Sequence, residues 1–133
     1  MIITSRDYTK AKQLAARVGG KSIPYEDFQL SSLRVEYDVL INCTSIGMSP
    51  AVHAIPFSEE QIIPNTIVFD AIWNPKETLL LKRAMAKNCT VVYGWEMFVR
   101  QALAAQKIWF QGLTGEDDKI LMLLENVLRA AGG

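Results

Sequence analysis

The sequence predicts an α/β fold built on a mostly parallel sheet. Three observations point there. Short β-branched runs recur along the chain, segments of helical periodicity fill the intervals between them, and one run, YDVLINC, is apolar almost throughout, as a strand covered on both faces would be. Strands that alternate with helices are joined by crossovers, and crossovers leave neighbouring strands parallel.

The elements follow in order. The run MIITS (1–5) reads as a strand, after which Asp7 or Thr9 caps a helix with Tyr8, Ala11, Leu14, Ala15 and Val18 at helical spacing, closed by Gly19-Gly20. KSIPY (21–25) is a weaker extended piece leading into a polar stretch. YDVLINC (37–43), TIVFD (66–70) and CTVVY (89–93) are the remaining strands, and a helix from about Thr78 to Lys87, with Leu79, Leu80, Ala84 and Met85 apolar, lies between the last two. Two helices close the chain: Trp95 to about Phe110, and about Glu116 to Ala131, with Asp117 and Asp118 near the second one's N-terminus and Gly132 beyond its end. No internal repeat, low-complexity segment or linker interrupts the pattern.

At 133 residues, half of them hydrophobic, the chain supports one core and reads as one globular unit. Fourteen basic and fourteen acidic residues cancel to a formal net charge of zero, so no overall field recruits nucleic acid or an anionic membrane. The apolar runs are broken by Asp, Asn, Pro or Lys before they reach the roughly 18–20 residues of a membrane span, and no secretory leader is visible, which places the protein in the cytoplasm. Cys43 and Cys89 have no CxxC spacing, and His53 is the one histidine. Both cysteines read as buried cytosolic thiols, and no metal site is expected.

Ligands of open parallel sheets sit beyond the carboxyl ends of the strands. The four strand ends carry Ser5-Arg6-Asp7, Thr44-Ser45-Ile46-Gly47-Met48, Ala71-Ile72-Trp73-Asn74-Pro75 and Gly94-Trp95-Glu96-Met97. Arg6 suits the 2′-phosphate of NADP, through charge-assisted and often bidentate hydrogen bonds; the alternative is a solvated arginine at a helix start. Asp7 would repel that phosphate unless it turns away to cap the helix. The Thr44–Met48 loop offers hydroxyls and backbone to a ribose or pyrophosphate, with Gly47 permitting close approach, or it is a plain strand-to-loop turn. Pro75 holds Asn74 extended and so sets where Trp73 points, although a lone tryptophan is more often core than platform. Gln101 falls one helical turn after Met97 and one before Ala105, in an apolar column, so its amide needs a partner, either structural or a ligand.

Taken together, SRDYTKAKQLA, VLINCTSIGMSP, VFDAIWNPKETLLLKRA and CTVVYGWEMFVRQALAAQKIWFQG resemble the cofactor-binding half of the shikimate dehydrogenase family, which also forms the last part of bifunctional dehydroquinate dehydratase–shikimate dehydrogenases. The resemblance covers nearly the whole chain and is most specific from Asp70 to Pro75 and from Gly94 to Ala102. It implies NADPH-dependent reduction of 3-dehydroshikimate to shikimate in aromatic amino-acid biosynthesis. The family's Asn-Arg-Thr segment, which holds the adenosine 2′-phosphate, falls on Ser5, Arg6 and Asp7, so only the arginine is retained. Thr44, Ser45 and Ile46 correspond to the loop passing the ribose and nicotinamide, and Trp73 stands where the family usually has tyrosine. Gly94 and Met97 match positions against the nicotinamide. Gln101 matches a glutamine that hydrogen-bonds shikimate.

The resemblance also implies a Rossmann-like three-layer sheet that is incomplete, because no GxGxxG is present and the chain begins at the family's second strand. The first strand, the glycine-rich loop and the substrate domain, with the family's lysine and aspartate for proton transfer, are then absent. Residues 1–133 are expected to be a partial NADP-binding domain with little or no activity alone, and none of its residues takes a catalytic role. In the order 3-2-1-4-5-6 the missing strand is central, so the sheet is expected to close by pairing its two neighbours directly or to self-associate through the unpaired edges. Competing readings are a non-catalytic nucleotide-binding or regulatory module, and another NADP-linked enzyme such as glutamyl-tRNA reductase, which the Gly94 to Gln101 spacing disfavours. A receiver-like domain lacks its acidic cluster.

Overall fold

The computed structural model describes residues 1–30, 35–109, 119, 122–123 and 126–127. They form an α/β protein with parallel sheets, in the order β1 (Ile2–Ser5), α1 (Tyr8–Arg17), β2 (Lys21–Pro24), α2 (Tyr25–Gln29), β3 (Val39–Asn42), β4 (Ile67–Asp70), α3 (Leu79–Ala86), β5 (Thr90–Tyr93) and α4 (Gly94–Trp109). The chain divides into two compact units, one of residues 1–37 and 57–63, the other of residues 38–56 and 64–133.

The first unit holds a two-stranded sheet, β1 beside β2, with Ile2 opposite Lys21 and Ser5 opposite Pro24. Helix α1 starts where the sequence indicates: the Asp7 carboxylate accepts the Lys10 N–H at 3.1 Å, satisfying one of the donors a helix start leaves free. Ala11 and Ala15, one turn apart, are its buried residues. The rest of this core is aromatic and aliphatic, with Phe28 of α2 edge-on to Phe57, centroids 5.4 Å apart, and Ile62 fully buried. Buried Gln61 is satisfied by donating to the Leu30 carbonyl at 3.1 Å, and the Tyr37 hydroxyl donates to the Gln61 carbonyl while accepting the Ile63 N–H.

The second unit is built on the three-stranded sheet β3-β4-β5. Its central strand, β4, has Val68 and Asp70 with no exposed surface, whereas Ile67 faces outward, the alternation a pleated strand requires. Leu80, Leu81 and Ala84 of α3 are buried, and this helix packs on β4 and β5. Thr78 caps α3 by accepting the Leu81 N–H. Its far end closes on Asn88 at φ 59°, with Cys89 N–H bonded to Ala84 O and Asn88 N–H to Met85 O, both at 3.0 Å, the paired bonds of a left-handed C-terminal cap. Small polar asparagine tolerates that conformation better than a branched residue.

Three expectations need correction. The expected direct pairing is not the arrangement seen: β1 belongs to one sheet, with β2, and β3 to another, with β4 and β5. Cys43 is exposed, because the alternation of β3 sends Asn42 inward and its successor out; Cys89 is buried, and both are free thiols. Helix α2 was hidden in sequence as part of an extended and polar stretch, since five residues are too short to display a helical period. The helix expected over residues 116–131 lies mostly outside the described residues. Among the described residues, no helix is long and apolar enough to cross a membrane, and no group of three or more His, Cys, Asp or Glu gathers as a metal site.

Candidate functional site

In the second unit the strands end in register. Asn42 of β3 lies opposite Asp70 of β4, which lies opposite Tyr93 of β5, so the loops leaving them share one carboxyl edge. Thr44 and Ser45 are exposed there and Ile46 is half-buried. The Thr44 hydroxyl donates to Asn42 Oδ1 at 2.8 Å and accepts the Ile46 N–H at 3.1 Å, which folds the loop back over the strand end. Gly47 then turns the chain at φ 103°, a conformation L side chains rarely adopt.

After β4, Ile72 turns inward and is buried while Trp73 turns out, half exposed. Its indole stacks on Phe98 of α4, centroids 5.4 Å apart and planes 15° from parallel. Phe98 is 43% exposed and its neighbour Met97 45%. The result is a flat, solvent-facing apolar surface at the edge of the sheet. The sequence reading missed Phe98, whose signal was an aromatic one turn into a helix that starts directly from a strand.

Gly94 is required by space. A Cβ there would lie 2.4 Å from the Ile72 carbonyl oxygen and 2.5 Å from the Ala71 carbonyl carbon. Backbone cannot give way as a side chain can, so α4 starts where only glycine fits. Trp95, the next residue, is buried, and the Lys76 ammonium sits 5.0 Å from its ring centroid, within cation–π range. Gln101 is exposed, and its Nε2 donates to the Phe98 carbonyl one turn back at 2.9 Å. Its column on α4 faces outward, so the amide is not the buried polar group that the periodicity suggested.

Beneath these loops, Asp70 accepts hydrogen bonds from Asn42 Nδ2 at 3.0 Å, from the Ile72 N–H at 3.1 Å and from the Thr78 hydroxyl at 2.7 Å. Burial raises its pKa above the ordinary carboxylate value, against the lowering effect of those three donors. Tyr93 at the end of β5 is also raised, first by burial and then by the negative charges of Glu77 and Glu96.

In the first unit, Ser5, Arg6, Asp7, Tyr8, Thr9 and Lys10 line an open groove at the start of α1. Asp7 does turn to cap the helix, and its other oxygen lies 3.4 Å from Lys10 Nζ. The capped backbone N–H is the first cause of its lowered pKa. Ser5 Oγ accepts the Asp7 N–H at 3.3 Å. Arg6 is exposed and, among the described residues, has no carboxylate partner.

No protein-family model matches the chain. It is 37% identical over 131 residues to a shikimate dehydrogenase (NADP(+)) of Maridesulfovibrio salexigens, covering 93% of this chain and 44% of that protein. It is 40% identical over 114 residues to the chloroplastic bifunctional 3-dehydroquinate dehydratase/shikimate dehydrogenase of Arabidopsis thaliana, covering 85% of this chain and 18% of that one. The chain therefore spans less than half the length of these relatives. Among solved structures it is similar to a chorismate mutase/shikimate 5-dehydrogenase fusion protein from Clostridium acetobutylicum, with 32% identity, a TM-score of 0.78 and coverage of 96% of this chain and 46% of that one. A ligand-free 5-ketofructose reductase of Gluconobacter is as near, with 33% identity, a TM-score of 0.78 and coverage of 95% and 47%.

Proposed function

We infer that this chain, which belongs to the shikimate dehydrogenase family, is the NADP-binding part of an enzyme that reduces 3-dehydroshikimate to shikimate. The observation that carries the reading is the carboxyl edge of β3-β4-β5, where Thr44, Ser45, Trp73 and Met97 are all exposed beyond the ends of parallel strands, the place such sheets use for ligands. The residues suit the group. Trp73 and Phe98 give a planar ring a flat apolar surface, and Gly94 lets α4 begin against the loop backbone without a side chain in the way. Thr44 and Ser45 supply hydroxyls for sugar oxygens.

NADP supplies hydride transfer when bound. The chain's own residues bind and orient. Arg6, with Ser5, takes the 2′-phosphate; its guanidinium offers a planar fork of donors and, among the described residues, has no competing carboxylate. Asp7 is compatible with that anion because its carboxylate is turned to the α1 N–H groups and to Lys10. Thr44, Ser45, Ile46, Trp73, Gly94 and Met97 hold the ribose and nicotinamide portion, and exposed Gln101 takes a substrate hydroxyl. No Lys or Asp of this chain takes the proton-transfer role by motif, and on this reading residues 1–133 alone turn over little or no shikimate. The substrate assignment rests on the sequence relatives, because the fold by itself is equally near a 5-ketofructose reductase.

Calorimetry with NADP and NAD tests the cofactor reading, with NADP expected to bind more tightly. No binding of either, or a preference for NAD, overturns it. Steady-state turnover of shikimate by the isolated chain at the rate of an intact dehydrogenase would overturn the partial-domain reading.

A further inference from the structure

Asn42 and Asp70 are partners on the last rung shared by β3 and β4, and neither has any exposed surface. A strand pair does not need such side chains. The backbone ladder already runs from Val39–Ile67 to Asn42–Asp70, and the Ala71 N–H extends it by bonding to the Asn42 carbonyl at 2.9 Å. Apolar residues of similar volume would fill the same space without placing a carboxylate and an amide in the core.

What the pair does hold is the loops. Asn42 Oδ1 accepts the Thr44 N–H at 2.9 Å and the Thr44 hydroxyl at 2.8 Å, and its Nδ2 points to the Ile46 carbonyl at 3.4 Å as well as to Asp70. Asp70 Oδ1 takes the Ile72 N–H, fixing the backbone directly before Trp73, and its Oδ2 takes the Thr78 hydroxyl, which also caps α3. The hydrogen bonds thus lead from the start of α3, through two buried side chains, to two separate loops at the carboxyl edge. Asn42 and Asp70 each bond a loop backbone as well as each other, so displacing either loop leaves a buried polar group without one of its partners.

We propose that Asn42 and Asp70 are positioning residues for cofactor binding, which set the Thr44–Ile46 loop and the turn into Trp73 as one unit. The proposal rests on the reading of those loops as cofactor-binding. Neither residue touches the cofactor, and each acts through the backbone it holds.

Amide hydrogen exchange and NADP calorimetry on the full chain test it. In Asn42→Leu, exchange at Thr44 and Ile46 should accelerate about tenfold or more, while Val68 and Phe69 in the middle of β4 change by less than about threefold. Asp70→Leu should do the same at Ile72, and Asp70→Asn, which keeps an acceptor for Asn42 and Ile72, should rescue it. NADP affinity should fall about tenfold in the leucine variants. Equal acceleration in β4 would mean that the pair only stabilises the fold. Unchanged loop exchange, or loosened loops with wild-type affinity, would also overturn the proposal. Should a leucine variant fail to fold, Asn42→Ser, which shortens the reach of the side chain, is held to the same ratios. If the wild-type chain does not bind NADP, the functional reading fails, whereas the exchange ratios still decide whether the pair holds the loops.

Discussion

Trp73 and Phe98 lie nearly parallel, ring centroids 5.4 Å apart, although one belongs to the loop after β4 and the other to helix α4, and both remain about half open to solvent. An aromatic pair of this kind adds about 0.5–1.5 kcal/mol beyond area burial, and half exposure puts this one at the lower end. Trp73→Ala should therefore cost little stability by urea unfolding. Its main effect is expected on NADP affinity, weakened about five- to tenfold, whereas Trp73→Tyr should retain most of it. Calorimetry on the two variants separates these outcomes.

Gly94→Ala places a Cβ against fixed backbone at 2.4 Å. Overpacking of this sort costs typically 1–3 kcal/mol, and the upper end is expected because both contacts are main chain. A lowered urea midpoint with an unchanged slope is the expected signature.

Asp7 gives an acid-side dependence. Its pKa in the folded protein is below 3.8, chiefly through the Lys10 N–H that it caps. The contribution to stability is thus present above the unfolded value and is lost as pH falls through the folded one. Asp7→Asn should keep the cap, remove this dependence and raise the preference for NADP over NAD several-fold by removing a negative charge beside Arg6. Competitive binding of the two cofactors measures the change.

Asp70 carries the opposite sign. Burial raises its pKa above 3.8 in the folded state, so the folded protein holds the proton more tightly than the unfolded chain. Ionisation of Asp70 consequently lowers stability as pH rises from the unfolded value through the raised folded one. Asp70→Asn should flatten that part of the profile. Urea midpoints across the same pH range, compared with wild type, decide it.

Much of the fold was legible because local signals agreed. The β-branched runs marked the strands, Asp7 and Thr78 marked helix starts, and an asparagine after Lys87 coincided with the end of α3. The strand ends named the loops for the same reason. Other features depended on tertiary facts. Asn42 and Asp70 are 28 residues apart in sequence, and only the register of β3 on β4 brings them together; the available hint was a polar residue at the inward position of two apolar strands. Helical spacing put Gln101 in an apolar column without showing whether that face is covered; the amide is exposed and bonded to the Phe98 carbonyl, the structural partner that was one of its two options. Phe98 was passed over because its partner, Trp73, sits on the loop after β4, 25 residues earlier in the chain.

The β3 edge supplies a further expectation. Among the described strands β3 has β4 as its one neighbour, and Val39 and Ile41 are exposed. Open edges template pairing between chains. Sedimentation velocity should show concentration-dependent association, and Ile41→Lys should reduce it; a monomer across the whole concentration range would exclude self-association by this route.

The bond between Asn42 and Asp70 also constrains how this sequence can drift. An amide donor at one position matches a carboxylate acceptor at the other, 3.0 Å away. Asn42→Asp alone would set two carboxylates face to face in the core, a like-charge pair that one of them escapes only by staying protonated. The reverse change is not equivalent, because Asp70→Asn alone still offers one oxygen to both Asn42 Nδ2 and the Ile72 N–H. The two positions are therefore unequal: position 70 accepts an amide, whereas position 42 cannot take a carboxylate while Asp70 stands opposite it.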